Sequence, residues 1–121
     1  MINKKTLVLG ASPNPARYSY LAINQLRSKG HEVIAIGKHN GKVGDVQIET
    51  EVIPIENLDT VTLYLSAHNQ KNYYDFIFSQ NPKRIIFNPG AENEELAAMA
   101  KNKGIVTQEA CTLVLLSTGQ Y

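Results

Sequence analysis

An apolar run from Thr6 to Leu9 passes through Gly10 into Ala11-Ser12-Pro13-Asn14-Pro15-Ala16-Arg17-Tyr18, and a helical pattern then continues to Lys29. Few folds accommodate that succession. A buried strand that turns through glycine into a helix opens an α/β sheet, and in open sheets of this class the turn is where phosphate binds. The first turn of a helix has unpaired N–H groups and the positive end of the dipole, and both favour an anion. The first expectation is therefore a nucleotide-like ligand on residues 10–18.

The rest of the chain repeats the alternation. Tyr18, Leu21, Ala22 and Leu26 recur at helical spacing, and Gly30 follows as a C-cap. Glu32–Ile36 reads as a second strand. Gly37–Thr50 reads as a polar connection with at most a short extended piece at Val46–Ile48. Val61–Leu65 is a third strand. Asn69–Ser79 is a helix, with Tyr73/Ile77 and Tyr74/Phe78 as i,i+4 pairs, and Asn81-Pro82 stops it. Arg84–Phe87 is a fourth strand. Asn93 caps a helix with Glu94 and Glu95 in its first turn, Lys101 and Lys103 in its last, and Gly104 at its end, an arrangement that suits the dipole. Ile105–Thr107 is a short fifth strand, and Cys111–Leu116 forms a final turn or two of helix. Apolar strands alternating with helices predict one domain over residues 1–121. Its α/β fold is a three-layer, doubly wound parallel sheet of about five strands, covered on both faces. Ligands in such a sheet lie beyond the carboxyl ends of the strands. Candidate functional residues are therefore sought on that rim.

Composition narrows the ligand class. The net charge is +1, which argues against general nucleic-acid or membrane-surface binding. The charges are unevenly placed. Up to residue 42 there are seven basic side chains (Lys4, Lys5, Arg17, Arg27, Lys29, Lys38, Lys42) and one acid, Glu32. Such a segment is either a solvated surface or a basic rim for a polyphosphate. Cys111 is the only cysteine, so no internal disulfide forms. His31, His39 and His68 show no ligand spacing, so no metal site is expected. No apolar stretch approaches a membrane span and no signal-peptide pattern opens the chain, so a cytoplasmic location is the default expectation.

The loop after the first strand is not the usual dinucleotide fingerprint. Counting from Gly10, the third position is Ser12 and the sixth is Pro15, so G-x-G-x-x-G is absent. Main-chain donors remain at Ala11, Ser12, Asn14, Ala16, Arg17 and Tyr18, and the prolines stiffen the loop. Arg17 at a helix start opposes the dipole unless an anion joins it. At the end of the second strand, where a protein that binds NAD places an acid for the ribose, this chain has Gly37-Lys38-His39. A cation there suits a phosphate. That leaves NADP, with its 2′-phosphate, and coenzyme A, with its 3′-phosphate. Ser66-Ala67-His68-Asn69 and Asn88-Pro89-Gly90-Ala91-Glu92 end the third and fourth strands. No Ser, Cys or carboxylate lies at a motif spacing to partner His68, so it is not expected to be catalytic. Cys111 lies near the same rim, as a buried small residue or as a thiol within reach of a ligand.

These residues carry a resemblance. Gly10 to Tyr20, then Leu26 and Gly30-His31-Glu32-Val33, resemble the small CoA-binding domain proteins, which are similar to the N-terminal CoA-binding domain of the succinyl-CoA synthetase α subunit. Asn88-Pro89-Gly90-Ala91-Glu92-Asn93-Glu94-Glu95-Leu96, Gly104-Ile105-Val106 and Ala110-Cys111-Thr112 extend it over nearly the whole chain. The resemblance implies a Rossmann-like fold with coenzyme A or an acyl-CoA as the cofactor. Gly10, Ala11, Ser12, Asn14, Pro15, Arg17 and Tyr18 would form the cofactor-binding loop at the pyrophosphate, and Lys38 would lie near the adenosine phosphate. Ser66, His68, Asn88, Pro89 and Gly90 would follow the adenine or the pantetheine arm. Two segments depart from many members. The second strand ends in Gly37-Lys38-His39 rather than an Asn-Pro turn, and Ser66-Ala67-His68 replaces an arginine. The synthetase's catalytic histidine lies in a second domain, so its activity does not carry over. The expectation is a module that binds coenzyme A without catalysis of its own. The alternatives are a small NADP- or nucleotide-binding enzyme, and a CoA-sensing module for a protein partner.

Overall fold

Leu7, Val8 and Leu9 have no exposed surface, because β1 (Thr6–Ala11) runs through the middle of a sheet that is covered on both faces. The computed structural model describes residues 3–121. After β1 the order is α1 (Tyr18–Ser28), β2 (Val33–Gly37), β3 (Gly41–Val43), β4 (Val46–Glu49), β5 (Thr60–Leu63), α2 (Ala67–Gln70), a 3₁₀ turn (Lys71–Tyr73), α3 (Tyr74–Ser79), β6 (Arg84–Phe87), α4 (Glu94–Asn102), β7 (Val106–Glu109) and α5 (Thr112–Ser117). The seven strands form one sheet in the order β3-β4-β2-β1-β5-β6-β7. Only β3 runs antiparallel to its neighbour.

Alternation along β1 sends Leu7 and Leu9 to one face and Val8 to the other. Leu7 and Leu9 join Val61, Leu63, Ile85 and Phe87 under Ile77 of α3 and Leu96 and Ala100 of α4. Val8 joins Ala35 and Ile48 under Ile23 and Leu26 of α1 and Leu116 of α5. The result is the expected three-layer α/β fold. Both longer helices end as their sequences imply. The N–H groups of Gly30 and His31 bond Arg27 O and Leu26 O, and those of Gly104 and Ile105 bond Lys101 O and Ala100 O, all at 3.0 Å. Asn93 caps α4 by accepting the Leu96 N–H at 3.1 Å.

The sheet has seven strands rather than five, and the two additional ones lie in the segment read as a polar connection. Val43, Val46 and Ile48 are buried while Lys42 and Gln47 are exposed, so β3 and β4 form an edge hairpin with one face on the core. Its turn is Gly44-Asp45, with Gly44 at φ +60, and a tight hairpin accepts glycine there because a side chain would be strained. Other boundaries move less. β1 continues past Leu9 through a bulge to Ala11, β5 begins one residue early at Thr60 and ends at Leu63, and β7 runs on to Glu109 opposite Phe87. The helix expected over Asn69–Ser79 starts at Ala67 and tightens to 3₁₀ at Lys71–Tyr73. The periodicity conceals that tightening, because the inward Gln70 and Ile77 are seven residues apart and share a face in either case.

At the amino ends of the strands, His31 is buried. Its Nδ1 accepts the Lys4 main-chain N–H at 2.9 Å, and its ring lies 5.0 Å from that of Tyr121. Arg84 stacks 4.4 Å over the other side of this cluster, on the Tyr121 ring. Burial first, then the charges of Lys4 and Arg84, hold the His31 pKa below the ordinary imidazole value of 6.5. The sign of the consequence is fixed. Above pH 6.5 the imidazole is neutral in folded and unfolded chains alike; below it, the unfolded chain takes up a proton that the folded one resists, and stability falls until the native value is passed. Urea titrations at pH 8 and pH 5.5 should show lower stability at pH 5.5. His31→Asn, which retains an acceptor for Lys4, should show a smaller loss. Equal losses in the two proteins would assign the pH dependence to other groups.

Candidate functional site

Leaving out β3, the parallel strands lie in the order β4-β2-β1-β5-β6-β7. The chain builds outward from β1 in one direction through β2 and β4, then returns to β1's other side with β5. That reversal opens a crevice beyond the carboxyl ends of β1 and β5, where open α/β sheets bind ligands. A cleft of about 640 Å³ lies there.

The first wall is Gly10-Ala11-Ser12 and the start of α1. The bulge between Leu9 and Ala11 sets Gly10 at φ +94, and a Cβ on it would lie 2.9 Å from the Tyr64 carbonyl carbon. Only glycine fits both demands. The loop then ties itself down. The Asn14 N–H donates to Ser12 Oγ at 3.1 Å, the Ala16 N–H to Asn14 Oδ1 at 2.9 Å, and the Arg17 N–H to Asn14 O at 3.0 Å. Those three main-chain donors are therefore engaged. Asn14 and Pro15 shape the loop and do not line the cleft. Arg17 takes the N-cap position of α1 with no capping side chain, and no acid occupies the first turn. The N–H groups of Tyr18 and Ser19, at the first two helical positions, have no intrahelical partner, and both residues face the cleft.

The second wall is Gly37-Lys38-His39. Gly37 pairs with Ala11 so closely that a Cβ on it would overlap the Ala11 carbonyl oxygen. Gly37 therefore has no room for an acidic side chain, and the next position on the cleft carries Lys38 instead of one. Lys38 and His39 are exposed. With Arg17 they are the basic side chains of the cleft, and among the described residues no Asp or Glu lines it. Among the described residues, none of the three is within 4.0 Å of a carboxylate.

The opposite walls come from β5 and β6. Tyr64, Leu65 and Ser66 follow β5, and Asn69, Asn72 and Tyr73 present one helical face to the cleft. Pro89, Gly90 and Ala91 follow β6. Buried amides lock these walls together. Gln70, with no exposed surface, donates to Leu65 O at 2.8 Å and Ala91 O at 2.7 Å, and accepts from Asn93 Nδ2 at 2.8 Å. Asn88 donates to Thr62 Oγ1 at 2.7 Å and Leu63 O at 2.9 Å, and accepts the Thr112 N–H at 2.9 Å. It is buried among these partners and its capacity is used internally, so it holds β5, β6 and α5 and does not reach the cleft. His68 is exposed and also lies outside the lining.

Of the residues singled out from sequence, the cleft therefore brings together Gly10, Ala11, Ser12, Arg17, Tyr18, Lys38, Ser66, Pro89 and Gly90. It adds Asn72 and Tyr73, which a reading confined to strand ends passes over because a helix carries them. Tyr64 also borders the cleft. Its hydroxyl is buried without a hydrogen-bond partner, and burial raises its pKa well above the ordinary tyrosine value, so it stays protonated. Cys111 is half-buried at the N-cap of α5 and does not line the cleft. Among the described residues no cluster of His, Cys, Asp and Glu is suited to a metal ion, and no helix is long and apolar enough to cross a membrane.

The family described as "CoA binding domain" matches residues 4–117. No curated protein matches. A crystal structure of an uncharacterized protein superposes with a TM-score of 0.96 at 49% identity, over 100% of both chains. A hypothetical protein from Pyrococcus horikoshii OT3 gives 0.85 at 20% identity, over 96% of this chain and 83% of its own. A protein from Thermus thermophilus gives 0.82 at 15% identity, over 98% of this chain and 91% of its own. The last two show likeness of fold alone.

The role of Asn88 is open to a direct check. Asn88→Ala removes the side-chain partner of Leu63 O and of the Thr112 N–H, and one of the two partners of Thr62 Oγ1, and the expected cost is roughly 2–4 kcal/mol of stability, from an unsatisfied buried group at about 1–3 kcal/mol each with partial relaxation. Denaturant unfolding measures it. A variant as stable as the parent would contradict this structural role.

Proposed function

The chain belongs to the CoA-binding domain family, and from that premise we propose that it binds coenzyme A or an acyl-CoA in the cleft at the β1/β5 crevice, without catalysis of its own. The pyrophosphate lies on the loop after β1, against the free N–H groups of Tyr18 and Ser19, with Arg17 beside it. Lys38 lies toward the adenosine phosphate. Ser66, Asn69 and Pro89–Ala91 follow the remainder of the ligand. The observation that carries this reading is the convergence of Arg17, Lys38 and the start of α1 on one cleft that no carboxylate lines. A cation placed at a helix start is unfavourable on its own, and a bound anion reverses the sign. Gly37 and Lys38 support the choice of ligand, since the end of β2 lacks the acid on which NAD recognition depends.

The binding-only reading rests on the absence, along the cleft, of a base paired with a nucleophile. Ser12 Oγ meets a main-chain N–H, no base contacts it, and Tyr64 keeps its proton.

Isothermal calorimetry at one salt concentration should show coenzyme A binding more tightly than NAD. Equal or tighter NAD binding would sink the proposal, and preference for NADP over coenzyme A would move it to a different nucleotide. Arg17→Ala should weaken coenzyme A binding by about 1.5–3 kcal/mol, the range for hydrogen bonds to charged groups, with little change in stability because the side chain is exposed. Normal binding by this variant would place the phosphates elsewhere. Thioester hydrolysis that disappears in Ser12→Gly would overturn the absence of catalysis.

A further inference from the structure

His39 is not needed by the reading above, yet it shares the cleft with Arg17 and Lys38. It is exposed and makes no side-chain hydrogen bond or ion pair among the described residues. Imidazole is the side chain whose ordinary titration falls between pH 5 and 8. A phosphate-bearing ligand held between Arg17 and Lys38 places negative charge beside it.

Resting on the coenzyme A reading, we propose that His39 is a third phosphate-binding group whose protonation is coupled to ligand binding, so that the cleft holds its ligand more tightly as the pH falls.

The surrounding charges bear on this coupling from every side. Lys38 and Lys42, on the same connection, and Arg17, at the start of α1, are the positive groups around it. Glu49, at the end of β4 and in register with Ile36, and Glu51 just beyond it are the acids nearest in the chain, and neither lines the cleft. Across the cleft the titratable residues are Tyr64 and Tyr73, which carry no charge in this range. A bound phosphate adds negative charge in the cleft that His39 lines, and that change favours uptake of a proton. The sign follows: the extra affinity is present at acid pH and disappears as the pH rises through the imidazole range.

The measurement is the ratio of coenzyme A affinity between the parent protein and His39→Gln, by calorimetry from pH 5.5 to 8.0. Taking the ratio cancels titration of the ligand's own phosphates, which also lose charge near pH 6. The parent is expected to bind about tenfold more tightly than the variant at pH 5.5, the effect of one unit of proton linkage, and to bind equally at pH 8.0. At pH 6.5, runs in buffers of different ionisation enthalpy should show fewer protons taken up by the variant. His68→Gln, outside the lining, should follow the parent throughout. A parent-to-variant ratio that stays constant with pH overturns the inference while leaving the coenzyme A reading intact. Failure of both proteins to bind coenzyme A at any pH defeats that reading, and inorganic pyrophosphate is then the probe. A pH-dependent ratio with pyrophosphate sustains the role of His39, and a flat ratio or no binding ends it.

Discussion

The cleft depends on how closely the backbone after β1 approaches its two neighbouring strands. Gly10 turns against the Tyr64 carbonyl group and Gly37 lies against the Ala11 carbonyl oxygen. A Cβ on Gly41 would stand 2.7 Å from the Cβ of Pro13, so the loop also rests on the first residue of the edge hairpin. With side chains at these positions the loop would be pushed away from the sheet, and the start of α1 would leave the crevice. Three close contacts thus aim a helix terminus at the one place where strand order reverses. The same contacts limit what the cleft accepts, because the backbone closure at Gly37 excludes a side chain there, and the next residue that lines the cleft is a lysine.

The other walls are held by amides rather than by backbone contact. Gln70 joins the segments after β5 and β6, and it connects through Asn93 to the cap of α4. Asn93 also donates to the Tyr74 hydroxyl at 2.8 Å, which in turn donates to Glu95 at 3.0 Å. Asn88 performs the corresponding task between β5, β6 and α5. Each buried amide has its partners, so these networks confer rigidity without the penalty of an unpaired polar group. A cleft set in this way loses little conformational freedom when a ligand enters, and that favours affinity.

The layers of the fold were legible because the inner strands are apolar on both faces and the helices carry their caps in the sequence. Leu7-Val8-Leu9 and Arg84–Phe87 admit few other readings. The β3–β4 hairpin was hidden by length: its strands have three and four residues, and Lys42 and Gln47 dilute their apolar content. Its signal was present in Val43-Gly44-Asp45-Val46, a two-residue turn between β-branched residues. The ends of the strands pointed to the rim, and nine of the thirteen residues nominated from sequence line the cleft. Asn88 shows what the rule omits. A strand-end asparagine can face ligand or core, and its partners Thr62 and Thr112 lie 26 and 24 residues away in sequence, so only the fold decides.

Part of the basic character of the first third of the chain is paired away from the cleft. Lys5 pairs with Glu32 at 3.5 Å, Arg27 pairs with Asp45 at 2.7 Å, and Lys4 donates to the Tyr121 carbonyl oxygen at 2.7 Å. These contacts lie at the amino ends of the strands and at the hairpin turn, away from the crevice. Exposed ion pairs of this kind contribute about 0–1 kcal/mol, so the fold gains little from them. Lys5 and Arg27 are thus paired with carboxylates, while Arg17 and Lys38 in the cleft have no carboxylate partner among the described residues. Arg17 and Lys38 then act in a concave site lined by no opposing charge, where the field is focused. A chain with a net charge of only +1 can in this way present a positive cleft.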